Sequence, residues 1–332
     1  MADYKAIKGF TIQTTSSEPS NPVLGQMWYN SSLGKVRVGK TQAASWSTGG
    51  DLNQTRYALG GAGNKTAALG FGGYDPPVYQ AVTESYDGTA WTEVGDLATA
   101  RNKGAGFGTQ TAAIYAGGSV PITAVVEEWN GAGWSEATAL PVTGITLNFG
   151  GSGTTTAGLV EGGGHAPANT DASFEWNGAS WTEGGDMNLT RGGNTSTGTQ
   201  TATLTMGGSY VPPPGVAPTA DVEDYNGVAW TEVADMTVPR GFGGTAGTPS
   251  QAIIFGGETG PDPSGVANSD VYDGSTWAVG APLPAAANNI GSGGISTRGA
   301  GIGFGGNKTS VELKATYVYE DESVVGGSVT TS

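Results

Sequence analysis

The chain has 332 residues, 59 of them Gly and 17 Pro, with no Cys, one His and a formal net charge of -15. So acidic a chain is poorly suited to nucleic acid or an anionic membrane, which both call for a basic face, and the absence of Cys excludes disulfides and thiolate chemistry. The segment MADYKAIKGFTIQTT lacks the apolar core of a secretory signal, and no run of about 18 apolar residues is present to span a bilayer. The expectation is a protein made in a cytoplasm without membrane insertion.

Taken in order, Met1 to Leu24 is polar and aperiodic and reads as an extended arm. Gln26 to Asn30 and Lys35 to Val38, joined by Ser31-Ser32-Leu33-Gly34, read as a hairpin. From there a pattern repeats six times. Its Trp falls at Trp46, Trp91, Trp134, Trp181, Trp230 and Trp277, spaced by 45, 43, 47, 49 and 47 residues, which is the signature of a repeat architecture. Five of these Trp follow another aromatic by five residues: Tyr86, Trp129, Trp176, Tyr225 and Tyr272. The intervening Asp-Gly or Asn-Gly accepts the positive φ angles of a two-residue turn, so each pair is expected to join two antiparallel strands. A Gly doublet closes an apolar run in each repeat, at Gly72, Gly117, Gly162, Gly207, Gly256 and Gly305 and the Gly that follows each.

An apolar run ending in Gly-Gly, then an aromatic and a Trp, with Arg about sixteen residues before the doublet, resembles the kelch repeat. The resemblance covers roughly Val36 to Asp321 and implies an all-β, six-bladed kelch-like β-propeller of four strands per blade. Trp46 has no doublet before it and the last doublet has no Trp after it, so the partial repeats complement each other. Ser45 to Thr48 is expected to close the ring as the outer strand of the sixth blade, removing two exposed sheet edges. Whether Lys35 to Val38 or Thr316 to Glu320 lies beside it is left open. The implied domains are an arm and hairpin over 1-34, a propeller over 35-322 and a loose tail over 323-332. The phrase GQMWYNSSLGKVRV also resembles a short module near the start of bacteriophage tail-fibre and other virion proteins.

Four repeats carry Asp with Arg five positions on: Asp51 and Arg56, Asp96 and Arg101, Asp186 and Arg191, Asp235 and Arg240. The third and sixth lose both, with Thr146 and Asn289 where Arg would fall. Joint presence and absence suggest an ion pair bracing the inter-blade turn, its Arg donors also tying down loop carbonyls. The competing use, a ring of Arg for anionic sugars, is the weaker one. The aromatic pairs are expected to pack blade on blade.

Alternating strand direction puts the second-to-third loops and the blade-to-blade loops on one face. The former vary: 13, 11, 13, 17 and 15 residues separate the second doublet Gly from the hairpin aromatic in the first five repeats. Loops on a rigid scaffold are where binding usually sits, which singles out Tyr74, Tyr79, Tyr210 and Asp262 as binding candidates. Catalysis is weakly supported. His165 lies in a loop-like EGGGHAP, the copper ligands of kelch-like oxidases are missing, and no D-x-[DN]-x-[DN]-G calcium string occurs. YDGTAW and YDGSTW depart from the sialidase Asp-box, because Asp and Gly are adjacent. The resemblance of GQMWYNSSLGKVRV implies a virion component of a bacteriophage, expected to be non-enzymatic with no cofactor or metal and to dock on other virion proteins through its arm. Its other partner would be a host-surface glycan or protein, and homo-oligomerisation is left open. The rival is a cellular carbohydrate-binding or carbohydrate-active propeller.

Overall fold

The computed structural model describes residues 12–119, 123–142, 150–165, 168–210, 217–260, 264–294, 296–309 and 311–329. Two compact units divide the chain: Trp46–Glu320, and Met1–Ser45 together with Asp321–Ser332. The protein is all-β, with repeated four-stranded antiparallel sheets consistent with a propeller-like fold.

In the smaller unit, Met27–Asn30 and Lys35–Gln42 form the expected hairpin, with Gly34 at φ 65 in its turn. Gln13–Thr15 adds in parallel beside Met27–Asn30, and Ser323–Ser328 pairs antiparallel with Lys35–Gln42. Residues 323–328, expected to be loose, are thus a strand, and Lys35–Ser45 groups with the N-terminal segment rather than with the repeats. Trp28 is fully buried; Arg37, on the adjoining strand, pairs with Glu18 at 3.0 Å and donates to the Gly326 carbonyl at 2.6 Å.

In the larger unit six four-stranded sheets are found among the described residues. The first comprises Gly60–Asn64, Ala67–Phe71, Thr83–Tyr86 and Trp91–Glu93, and the second Ala105–Thr109, Ala112–Ala116, Val126–Trp129 and Trp134–Ala137. The third, fourth and fifth open at Gly150–Thr154, Thr195–Thr199 and Gly244–Thr248 and repeat that order. The sixth runs Gly291–Ser292, Ile302–Phe304, Thr316–Glu320 and then Ser45–Thr48, so Thr316–Glu320 takes the place beside the Trp46 strand. First strands neighbour one another in sequence order, and that of the sixth sheet lies beside that of the first.

Second strands such as AAIYA and QAIIF are buried on both faces, which is why they read as continuous apolar runs. Each ends on the Gly doublet because the chain there needs two left-handed residues, φ 64 and 106 at Gly72 and Gly73. A Cβ on Gly72 would also stand 2.6 Å from the Arg101 carbonyl oxygen.

Each hairpin Trp stacks on its partner aromatic, with centroids from 4.8 Å for Tyr225–Trp230 to 5.6 Å for Trp129–Trp134. It also reaches the preceding sheet: Trp134 packs on Phe71 at 4.9 Å and donates to Thr83 Oγ1 at 2.9 Å. Trp91 does the same to the sixth sheet, packing on Phe304 at 4.8 Å and donating to Thr316 Oγ1 at 2.8 Å. Trp46 packs on Tyr319 of its own sheet and on Phe255 of the fifth.

The hairpin turns differ from expectation by one residue. Only the Gly of each dipeptide takes a positive φ, from 88 at Gly227 to 95 at Gly88. The Asp or Asn stands at the corner instead, where its side-chain oxygen accepts N–H groups two and three residues on. Asp87 accepts from Thr89 N at 2.8 Å and Ala90 N at 2.9 Å. These bonds, with one from the Thr89 hydroxyl as the largest cause, hold the exposed Asp87 carboxyl down at about 2.

Candidate functional site

Arg56, Arg101, Arg191 and Arg240 are fully buried, and each donates to the carbonyl of the first doublet Gly sixteen residues on, Arg101 from Nε and the others from the guanidinium end. The tie to loop carbonyls is therefore present, but the carboxylate partner is not the expected Asp. Arg56 pairs with Glu84 at 2.8 Å, Arg101 with Glu127, Arg191 with Glu223, and Arg240 with Asp270 at 3.4 Å. Asp51, Asp96, Asp186 and Asp235 are exposed. The reason is local: the Leu or Met that follows each Asp turns into the core, at 2 to 4% exposure, which directs the Asp outward. The true partners sit on the third strand of the same sheet and face inward. They also grip the turn, because Glu84 accepts from Asn53 N at 2.8 Å and Glu127 from Ala98 N at 2.7 Å. Burial pushes the Arg56, Arg191 and Arg240 guanidinium groups below their usual value, and the facing carboxylates oppose this.

Repeats without Arg carry an aromatic at the carboxylate position, Phe174 in the third and Tyr317 in the sixth. Comparing that position across repeats is the signal that identifies the partner. The sixth repeat also needs a correction. Ala287, not Asn289, stands where Arg would, since its carbonyl binds Gly257 N as Arg101 binds Gly73 N and Arg240 binds Gly208 N. Two extra residues between the first strands of that sheet displace the count. Thr146 lies outside the described residues.

Two residues beyond each Arg position the backbone enters the left-handed region, at Ala58, Lys103, Gly193, Phe242 and Asn289, with φ from 50 to 72. Among the described residues these are hydrogen-bonded in a run: Lys103 N donates to Ala58 O, Ala58 N to Asn289 O, Asn289 N to Phe242 O and Phe242 N to Gly193 O, at 2.8 to 2.9 Å. A left-handed non-Gly residue costs about 1 kcal/mol or more, and these bonds offset it. These residues line a pocket of about 110 Å³ to which all six first strands contribute. Within it stand Lys103, Asn194, Ser196, Phe242 and Ser292. Beyond the pocket, Thr197 Oγ1 bridges the Gly247 and Gly294 carbonyls of the fifth and sixth repeats.

Behind one wall, Glu161 holds the position filled by Phe71, Ala116, Met206, Phe255 and Phe304 in other repeats. Ser196 Oγ donates to its carboxyl, and Asn194 Nδ2 donates to Thr205 Oγ1 at 3.0 Å. Glu161 Oε2 and Asn194 Oδ1 are buried without a partner. Burial pushes the Glu161 carboxyl up to about 7 against the pull of Ser196, Thr205 and Arg191.

On the rim side the second-to-third loops form short ladders: Tyr74–Asp75 with Val78–Tyr79, Gly164–His165 with Ala168–Asn169, Ser209–Tyr210 with Ala217–Pro218, and Asn307–Lys308 with Val311–Glu312. Tyr74 and Tyr79 are half-buried and stacked on each other at 4.5 Å, with Tyr57 against Tyr74 at 5.6 Å, so their rings are largely occupied by loop packing. Tyr210 lies in its ladder opposite Ala217. Asp262 lies outside the described residues. Asp221, Glu232 and Asp235 bring carboxylate oxygens within 4.8 Å of one another, a half-buried to exposed acidic cluster. No helix among the described residues is long and apolar enough to cross a membrane. These features define a repeat scaffold of four-stranded sheets with a lined pocket and short two-stranded ladders at the bases of the second-to-third loops. No protein-family model matches the chain, and a search of curated proteins finds no match.

Proposed function

We propose that Trp46–Glu320 is a six-bladed kelch-like propeller closed by the Trp46 strand, serving as a non-enzymatic recognition or decoration module of a bacteriophage virion. Closure is supported by the Ala58 to Asn289 hydrogen bond and by the reach of Trp91 to Thr316, both joining the first repeat to the sixth. The observation that carries the recognition reading is the set of length-variable loops held as short ladders beside the pocket. Ladders at the loop bases fix where each of these loops leaves and rejoins the scaffold, which lowers the entropy lost on binding and suits recognition. The segment before Trp46 is assigned to docking on other virion proteins, on the sequence resemblance of GQMWYNSSLGKVRV.

The test is to assemble particles with the loops at Tyr74–Tyr79, Ser209–Pro218 and Glu258–Ala267 cut to Gly-Ser turns, and separately with residues 1–24 removed. Lost host adsorption at normal incorporation is expected for the first, and lost incorporation for the second. Unchanged adsorption would refute recognition; normal copy number of the truncated protein would refute docking.

A further inference from the structure

The pocket holds a cation that the fold does not use. Lys103 is the one charged side chain among the lining residues, and no carboxylate pairs with it among the described residues. Glu258, the carboxylate that acts on it most, instead accepts from Asn288 Nδ2 at 2.7 Å. Nor does the backbone call for Lys: the same left-handed position is filled by Ala58, Gly193, Phe242 and Asn289 elsewhere, and the bonding there is by main-chain atoms. A partly dehydrated ammonium without a counter-charge is costly, and this chain, at net charge -15, is rich in carboxylates that could have supplied one.

Of the other lining side chains, Ser292 suits an acceptor ligand. Ser292 Oγ accepts from Thr245 N at 3.1 Å, leaving its hydroxyl proton to donate. The Phe242 ring gives an apolar side. A space of about 110 Å³ admits a carboxylate and the carbon that bears it, while the remainder of a larger ligand would stay at the rim.

We infer that this pocket takes the carboxylate of an acidic sugar, with Lys103 Nζ as its counter-ion and Ser292 Oγ as a second donor. The inference rests on the recognition reading and names its ligand class. Its anion would enter beside the loops, and the strongly acidic surface elsewhere would turn away anions that miss the pocket.

The experiment is calorimetric titration of the full chain with glucuronate, N-acetylneuraminate, glucose, acetate and inorganic phosphate, repeated on Lys103→Met and Lys103→Gly. The Gly variant keeps the backbone conformation already seen at Gly193 and guards against a folding defect. Expected is binding of at least one sugar acid at about 1 mM or tighter, none of glucose, and a loss of at least about tenfold in both variants. No binding of either sugar acid, unchanged binding by the variants, or acetate or phosphate binding as tight as the sugar acids would each overturn the inference. Loop-shortened particles that lose adsorption while the calorimetry shows no sugar acid bound would overturn this inference alone and leave the recognition reading standing.

Discussion

Arg101→Met should be among the most damaging single changes in the repeat unit. Arg101 and Glu127 are 0% and 1% exposed, so removing the guanidinium leaves a buried carboxylate held only by the Ala98 N–H. It also strips side-chain donors from the carbonyls of Thr99, Tyr115 and Gly117. Breaking one partner of a buried pair costs about 3–5 kcal/mol. With an unfolding entropy of about 2.1 cal/mol/K per residue, a unit the length of Trp46–Glu320 should melt roughly 5–9 °C lower. The double variant Arg101→Met with Glu127→Phe copies the aromatic choice of the third and sixth repeats and should recover to within about 1.5 kcal/mol of the parent. Scanning calorimetry with matched urea titrations measures both. A single variant melting within about 1 °C of the parent, or a double variant less stable than either single one, would refute this account of the buried pair.

Glu161→Gln should alter the pH profile of stability. The folded carboxyl titrates at about 7 and its ordinary value is 4.5, so the folded state holds a proton that the unfolded state releases between those values. Stability from this group is full below pH 4.5 and is lost as pH rises through 7; the Gln variant should match the parent near pH 4 and exceed it by about 3 kcal/mol at pH 8. Equal slopes of stability against pH in the two proteins would rule this out. Gly106→Ala should cost several kcal/mol, because its Cβ would lie 2.7 Å from Gly61 N on the neighbouring sheet. Gly133→Ala, with nothing within 4 Å, should be neutral or slightly stabilising by chemical denaturation. Asp51→Ala, which loses only an exposed contact with Lys314 at 3.9 Å, should change stability by less than about 1 kcal/mol in the same assay.

Much of the strand pattern was legible because it rests on side chains that recur in register. The Trp pairs, the Gly doublets and the Arg sixteen residues ahead each answer to one packing or hydrogen-bonding need repeated six or four times. The buried carboxylates were missed for a physical reason. Asp96 is five residues from Arg101 and varies with it, whereas Glu127 is 26 residues away in sequence but faces it across the sheet. The column Glu84, Glu127, Phe174, Glu223, Asp270 and Tyr317 held the answer, and reading it requires strand alignment rather than proximity. The pocket rim was not legible at all. Ala58, Lys103, Gly193, Phe242 and Asn289 share a backbone angle and a main-chain bond but no side-chain chemistry, so nothing in their identities marks them as equivalent.

The pairing of Lys35–Gln42 with Ser323–Ser328 has a mechanical consequence. Its rungs run from Arg37 opposite Ser328 to Gln42 opposite Ser323, with Val329 N on the Val36 carbonyl beyond them, so a pull on Val329 directed away from the Lys35–Gln42 strand would open the ladder one pair at a time from that end. The Arg37 side chain, which bonds to the Gly326 carbonyl two residues further in than its own rung, would resist such a pull once the Val329 bond had opened.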